Sequence, residues 1–241
     1  MTREAMPPTH PKPLGRLKAP SRLGPVWGRP IAWLLTHAFW RTDVRGKQHV
    51  PRKGPVVVIA NHVGFIDGPV ATGVTPRYMH VLVKGEMFTN VLGPILRGSG
   101  QIEVWHGGRE ALARGRAVLQ RGGVLGVFPE GTRGMGDAAS VGGGAAWLAI
   151  HGGAPVVPLA LLGTRLTGES VNVWPRPGRR LIAEFGEPIR LDLPEAAHGR
   201  ERQQMAEQII ADALRAHVRR VAAGAPIGLP QDDPLREGPL A

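Results

Sequence analysis

His62 and Asp67 stand five residues apart where an unbroken apolar run, Val56-Val57-Val58-Ile59-Ala60, passes through Asn61 into His62-Val63-Gly64-Phe65-Ile66-Asp67. Such a run, rich in β-branched residues, predicts a buried strand. A His at the end of a strand occupies the position from which α/β proteins commonly present reactive groups. On one continuous helix a five-residue spacing would turn the two side chains about 140° apart. The pair therefore meets only if the chain turns between them, and Gly64 permits such a turn. A His held by a carboxylate is a general base. The alternative is plainer, with the His closing a strand and the Asp capping a helix, and the pair alone does not choose between them.

A second signal lies at Phe128-Pro129-Glu130-Gly131-Thr132-Arg133, directly after the apolar run Val124-Leu125-Gly126-Val127. Arg133 has the planar fork that grips a phosphate bidentately. Glu130 could hold Arg133, another basic group or a substrate hydroxyl. A surface turn closed by a local ion pair is the other reading.

Several chemistries are excluded. The 241-residue chain has no cysteine, so it has no thiol nucleophile, disulfide or cysteine-ligated zinc. It has no Gly-x-Ser-x-Gly elbow, since Gly168-Glu169-Ser170-Val171-Asn172 fails at its last position. Walker A, Gly-x-Gly-x-x-Gly and His-Glu-x-x-His patterns are also missing. A base without a protein nucleophile implies that the substrate brings its own, and an alcohol hydroxyl is the natural choice. His62 would take its proton during attack on an activated carbonyl, and Asp67 would fix the imidazole tautomer. The formal net charge is +11, with five Lys among thirty basic residues. That balance suits an anionic partner, either a phosphorylated substrate or an anionic membrane surface. Nucleic acid is not expected, because aromatics are only 5% and no recognition signature is present.

The elements that must position these groups alternate along the chain. Residues 1–22 read as a disordered basic arm, with five prolines and little apolar content. Residues 23–42 carry Trp33, Phe39 and Trp40 between Arg29 and Arg41 and resemble a membrane-interface helix; this apolar stretch is too short to span a bilayer, which takes about 20 residues. No secretory signal is evident. Strands are expected at 43–49, 56–60, 78–83, 101–105, 124–128, 155–162 and 181–185. Helices are expected at 68–73, 109–121, 145–151 and 200–223, the last with Met205, Ile209, Ala213 and Leu214 along its packed side. From Gly224 onward the chain reads as a disordered, Pro-rich tail. One domain over 23–223 is expected, a mixed, largely parallel α/β sheet flanked by helices, with an N-terminal interfacial segment.

The blocks together resemble the lysophosphatidic acid acyltransferase family, the glycerolipid acyltransferases of the His-x4-Asp type. Asn61-His62 with Asp67 is similar to the family's first block, Phe128 to Arg133 to its third, and Ala154-Pro155-Val156-Val157-Pro158-Leu159-Ala160 to its fourth. Lys84-Gly85-Glu86-Met87-Phe88 resembles its Lys-x-Glu-Leu-Phe stretch. The similarity spans about residues 44–188, in order and spacing. In the second block, Gly100-Gln101-Ile102-Glu103-Val104-Trp105-His106 places His106 where the family's pattern has Arg. Arg109 or Arg97 would then supply the missing charge, or the acceptor is not the simple phosphomonoester.

The resemblance implies transfer of a fatty acyl group from acyl-CoA or acyl carrier protein to a lysophospholipid hydroxyl, typically that of 1-acylglycerol 3-phosphate. It implies no metal or organic cofactor, and peripheral action at the cytoplasmic face of the cell membrane. By the same resemblance His62 is the base and Asp67 its orienter. Asn61, Lys84, Glu130, Gly131, Thr132 and Arg133 belong to the substrate site, with His106 and Arg109 beside it, and Pro158 shapes the acyl-binding region. Other readings are the same chemistry on an aminolipid or glycolipid acceptor, a catalytically idle lipid- or carrier-binding protein, and thioesterase action with water in place of the alcohol.

Overall fold

The unbroken aliphatic runs form the middle of a seven-stranded sheet. The computed structural model of the chain describes residues 20–105, 108–138 and 142–233. Its strands are β1 (Arg41–Arg45), β2 (Val56–Ala60), β3 (Met79–Lys84), β4 (Ile102–Val104), β5 (Val124–Val127), β6 (Val156–Leu162) and β7 (Arg180–Phe185). Their order is β1-β7-β6-β2-β5-β3-β4. Every neighbouring pair is parallel except β6 and β7. β2 and β6 are buried along their whole length, as strands covered on both faces must be. β1 alternates exposed and half-buried residues and takes an edge.

Among the described residues six helices flank the sheet: α1 (Gly24–Leu34), α2 (Asp67–Val74), α3 (Gly93–Gly98), α4 (Arg109–Gln120), α5 (Gly144–Gly152) and α6 (Gly199–Ala223). On one face Val57, Ile59, Leu125 and Val127 pack with Val118 of α4, Leu148 of α5 and Ile210 of α6. On the other, Val56, Val58 and Ala60 pack with Val70 and Val74 of α2 and with Trp40. The mixed, largely parallel architecture is the expected one. Its five parallel strands end along one edge, and the chain leaves β2 there through Asn61 and His62.

Four expectations change. The strand expected over 43–49 is β1, which ends at Arg45; Lys47–His49 form a 3-10 turn instead. The segment 23–42 is not one surface helix. Beyond α1 the chain runs through a π-helical turn, Leu35–Phe39, and Trp40 is fully buried, its indole donating to the Pro175 carbonyl at 3.1 Å. The packed side of α6 is rotated by one residue, to Ala206, Ile210, Leu214, His217, Val218 and Val221. The tail does not leave the domain at Gly224: Pro230 is buried and Asp232 is ion-paired to Arg165 at 2.9 Å. Residues 1–19 and 234–241 lie outside the described residues.

Candidate active site

His62 is placed by its neighbour. Asn61 is fully buried, and its side chain clamps β2 to β6 by donating to the Leu161 carbonyl at 3.0 Å and accepting from the Leu161 N–H at 2.8 Å. This extends the ladder one residue past β2 and fixes where His62 emerges. Asn61 is fully buried and engaged with Leu161, so the structure gives it a positioning task beside the substrate role that the resemblance implies.

After His62 the chain turns tightly, and Asp67 opens α2. One buried carboxylate oxygen, Asp67 Oδ2, accepts from the Val63 N–H at 2.7 Å, the Gly64 N–H at 2.8 Å and His62 Nδ1 at 2.8 Å. A carboxylate accepts only, so Nδ1 carries a proton, and in the neutral imidazole Nε2 holds the lone pair. The imidazole lies against Phe128, ring centroids 4.5 Å apart, with 20% of its side chain exposed. Gly64 serves the turn by close approach: a Cβ there would lie 3.1 Å from the Thr164 carbonyl oxygen.

The loop after β5 grips His62 on both sides of its backbone. Glu130 Oε1 accepts the His62 N–H at 3.0 Å, and the Gly134 N–H donates to the His62 carbonyl at 3.0 Å. The loop folds back through Gly131 at φ +70°, a conformation glycine adopts without strain, and the Gly131 N–H closes on the Phe128 carbonyl at 3.1 Å. Burial, with Asp137 and Asp67 nearby, pushes the Glu130 carboxyl up to about 8, although the hydrogen bond from His62 opposes the shift. Glu130 thus holds the His62 turn through its backbone, and it does not pair with Arg133.

Arg133 is half-buried beside this pair. It donates to Asn172 Oδ1 at 2.6 Å and to the Val171 carbonyl at 3.3 Å. Its guanidinium carbon lies 5.9 Å from the Phe65 ring centroid. Burial lowers its pKa, and Asp67 opposes that shift.

The remaining expected residues scatter. Thr132 is exposed on the Glu130 loop. Lys84 ends β3 on the same sheet edge, two strands from β2, or about 10 Å. Arg109 opens α4, exposed, after the edge strand β4. Arg97 is engaged with Glu103 at 3.0 Å. His106 lies outside the described residues. Pro158 pairs with Ile59 in the interior of β6 and lines a cleft between β7 and α6. Among the described residues no three His, Asp or Glu side chains are placed to hold a metal ion.

The sequence reading missed Arg165. Its side chain is wholly buried. It donates to the Val63 carbonyl at 3.1 Å, the Gly134 carbonyl at 3.1 Å, the Glu169 carbonyl at 3.2 Å, Asp232 Oδ1 at 2.9 Å and the Asp232 carbonyl at 2.8 Å. One guanidinium thus ties the His62 turn, the Glu130 loop and the C-terminal segment together. Asn172, the partner of Arg133, was missed as well.

A family model described as Acyltransferase matches residues 41–162, from β1 through β6 and just over half of the chain. The chain belongs to the Acyltransferase family. The match contains His62, Asp67 and the Glu130 loop of this acyltransferase and stops short of Arg165. Among relatives, a 1-acyl-sn-glycerol-3-phosphate acyltransferase of Bacillus subtilis is 27% identical over 150 residues, 61% of this chain and 72% of that protein. One of Pseudomonas aeruginosa is 26% identical over 181 residues, 71% and 65% of the two chains. A chloroplastic one of Brassica napus is 28% identical over 144 residues; the matched stretch spans 40% of its length. The crystal structure of the 1-acyl-sn-glycerophosphate acyltransferase PlsC from Thermotoga maritima shares the fold, with a TM-score of 0.57 at 21% identity, covering 80% of this chain and 78% of that one.

Proposed function

We propose that this acyltransferase moves a fatty acyl group from acyl-CoA or an acyl carrier protein to the hydroxyl of a lysophospholipid, 1-acylglycerol 3-phosphate above all, giving phosphatidic acid and a free thiol. The observation that carries this reading is the His62 Nδ1 bond to Asp67 at 2.8 Å, which leaves Nε2 as the ring nitrogen for the acceptor hydroxyl. The acceptor hydroxyl attacks the thioester carbonyl while Nε2 takes its proton. The tetrahedral intermediate then expels the thiolate, which receives that proton from the imidazolium. Asp67 stabilises the imidazolium and keeps the ring oriented. The Val63 and Gly64 N–H groups are committed to Asp67, and the His62 N–H to Glu130, so these three serve the base rather than the developing oxyanion. Arg133 is the phosphate ligand next to the base, exchanging Asn172 for the acceptor, and Lys84 is a further contact from the same sheet edge.

The reading places the protein on the cytoplasmic face of the membrane as a peripheral enzyme. Among the described residues no helix is long and apolar enough to cross a membrane. α1 instead exposes Trp27, Ile31 and Leu34, after exposed Leu23. Beside it stand Val91 and Ile95 at α3, joined to α1 by the Trp27 indole donating to the Gly98 carbonyl at 3.1 Å. Exposed apolar side chains of this kind suit the interfacial zone of a bilayer.

Acceptor-dependent thiol release from acyl-CoA and from acyl carrier protein tests the reading on a panel of lysolipids. Release with 1-acylglycerol 3-phosphate is expected, together with an acceptor KM raised about tenfold or more in Arg133→Ala. Release that ignores the acceptor would make the protein a thioesterase, and an unchanged acceptor KM would remove Arg133 from the site.

A further inference from the structure

At the edge of the sheet opposite His62, a cleft of about 490 Å³ is lined by Arg22, Arg29, Arg77 and Arg121 with Tyr78 and His80. Gly123 also lines it, and the Gly123 carbonyl accepts the Val56 N–H at the start of β2. His62 lies six residues further along, about 20 Å away at strand rise, so this is not the candidate active site.

Four guanidiniums around one cleft repel one another unless something neutralises them. Among the described residues none of the four is ion-paired to a carboxylate. What holds them is neutral. Arg29 donates to the Thr75 carbonyl at 3.0 Å. Arg77 donates to the Pro51 and Gly122 carbonyls at 2.9 and 2.7 Å. Arg121 donates to the Pro20 carbonyl at 2.7 Å and to His80 Nε2 at 2.8 Å. His80 is buried, and its Nδ1 proton goes to the Gly100 carbonyl at 2.6 Å, so Nε2 is a lone-pair acceptor that aims Arg121. Carbonyls and a neutral imidazole orient guanidiniums without cancelling their charge. Each guanidinium has five N–H donors, so donors remain for a ligand. The repulsion shows in Arg121, whose pKa is lowered first by burial and then by Arg22.

We propose that this cleft binds a phosphate group, carried by an anionic lipid headgroup or by a free phosphate, at a site separate from His62. Planar guanidiniums match the tetrahedral oxyanion bidentately, and the tyrosine hydroxyl of Tyr78, half-exposed at the mouth, adds a neutral donor. The cleft also borders an apolar surface. Arg22 and Pro25 flank exposed Leu23, and Trp27 is exposed one turn further along α1. A lipid phosphate would sit in the cleft with its acyl chains alongside that surface. The assignment goes beyond acyl transfer and stands whether or not His62 is the base.

The test uses the full chain carrying Arg133→Ala, which removes the phosphate ligand at the candidate active site. In one arm inorganic phosphate is titrated by calorimetry. In the other, vesicles of phosphatidylcholine with and without phosphatidic acid are sedimented with the protein. Arg22→Gln is the primary variant, since Arg22 donates no hydrogen bond among the described residues and its loss leaves the fold intact; Arg121→Gln is the second. Arg219→Gln, exposed on α6, controls for net charge. Phosphate affinity, or the phosphatidic acid-dependent part of vesicle binding, is expected to fall about tenfold with each cleft variant and to hold in Arg219→Gln. A loss in the calorimetric arm identifies free phosphate as a ligand, and a loss in the vesicle arm alone identifies the lipid headgroup. No binding in either arm, or the same affinity with and without Arg22 and Arg121, or an equal loss in Arg219→Gln, would overturn the assignment.

Discussion

The Glu130 carboxyl accepts the backbone N–H of His62 at 3.0 Å, joining two sequence blocks 68 residues apart through the main chain of the base. This bond gives Glu130 a task that a substrate contact would not. The side chain is protonated at neutral pH, since burial beside Asp137 and Asp67 raises it from 4.5 to about 8, and its carbonyl oxygen still accepts. Between about 4.5 and 8 the folded state therefore binds a proton that the unfolded state has lost. This contribution to stability is whole below 4.5, declines as pH rises through the window, and is gone above about 8. Glu130→Gln keeps an acceptor for His62 and has no proton to lose. Its unfolding free energy should lack that decline, and its activity should match wild type near neutral pH. Parallel stability–pH profiles for the two proteins, from urea unfolding, would contradict the assignment.

Arg165 and Asp232 should behave as one unit. Arg165→Ala leaves the Val63 and Gly134 carbonyls without their donor and strips Asp232 of its partner, with an expected loss of about 3 kcal/mol. Asp232→Ala should cost less in stability, because Asp232 is partly exposed. Both should lower kcat more than they raise KM, since they loosen the loops on either side of His62. A double-mutant cycle checks this: additive losses would show that the C-terminal segment does not support the site.

Asn61 predicts a stability effect in excess of its size. Asn61→Ala leaves the Leu161 N–H and C=O unpaired in the core, each at about 1–3 kcal/mol. Denaturant unfolding should register a loss of at least about 2 kcal/mol, with activity falling even in the fraction that remains folded. A change within about 0.5 kcal/mol would mean that the clamp is not needed.

The apolar face of α1 should govern membrane binding and not chemistry. Ile31 and Leu34 are 54% and 56% exposed, so Ile31→Glu and Leu34→Glu should leave the fold intact. Each should weaken vesicle binding about tenfold while turnover on a short-chain, water-soluble acceptor is retained. Unaltered vesicle binding in both would exclude this face.

The sequence carried the sheet because its central strands are written as unbroken aliphatic runs: Val56–Ala60 and Val156–Leu162 admit little else. His62 and Asp67 were legible because the required turn is short and local. Arg165 is not, since apart from the Glu169 carbonyl its partners are backbone carbonyls about 30 and 100 residues away and Asp232, 67 residues later, and no local pattern marks such a residue. The tail is opaque for the same reason, as a Pro-rich composition says nothing of one ion pair at Asp232. Composition groups Trp40 with Trp33 and Phe39, but its buried indole pairs with the Pro175 carbonyl, far along the chain. The block resemblance assigns Pro158 to the acyl-binding region, and the strand places it in the interior of β6, lining the cleft between β7 and α6.

The central claim is that His62, oriented by Asp67, is the base. Single-turnover transfer from acyl-CoA to 1-acylglycerol 3-phosphate, followed in wild type, His62→Ala and Asp67→Asn with circular dichroism confirming each fold, tests it most directly. The account predicts no measurable transfer in His62→Ala and a loss on the order of 10⁴ in Asp67→Asn, as when a misoriented tautomer replaces a triad carboxylate. Transfer by folded His62→Ala at a rate near that of wild type would contradict it.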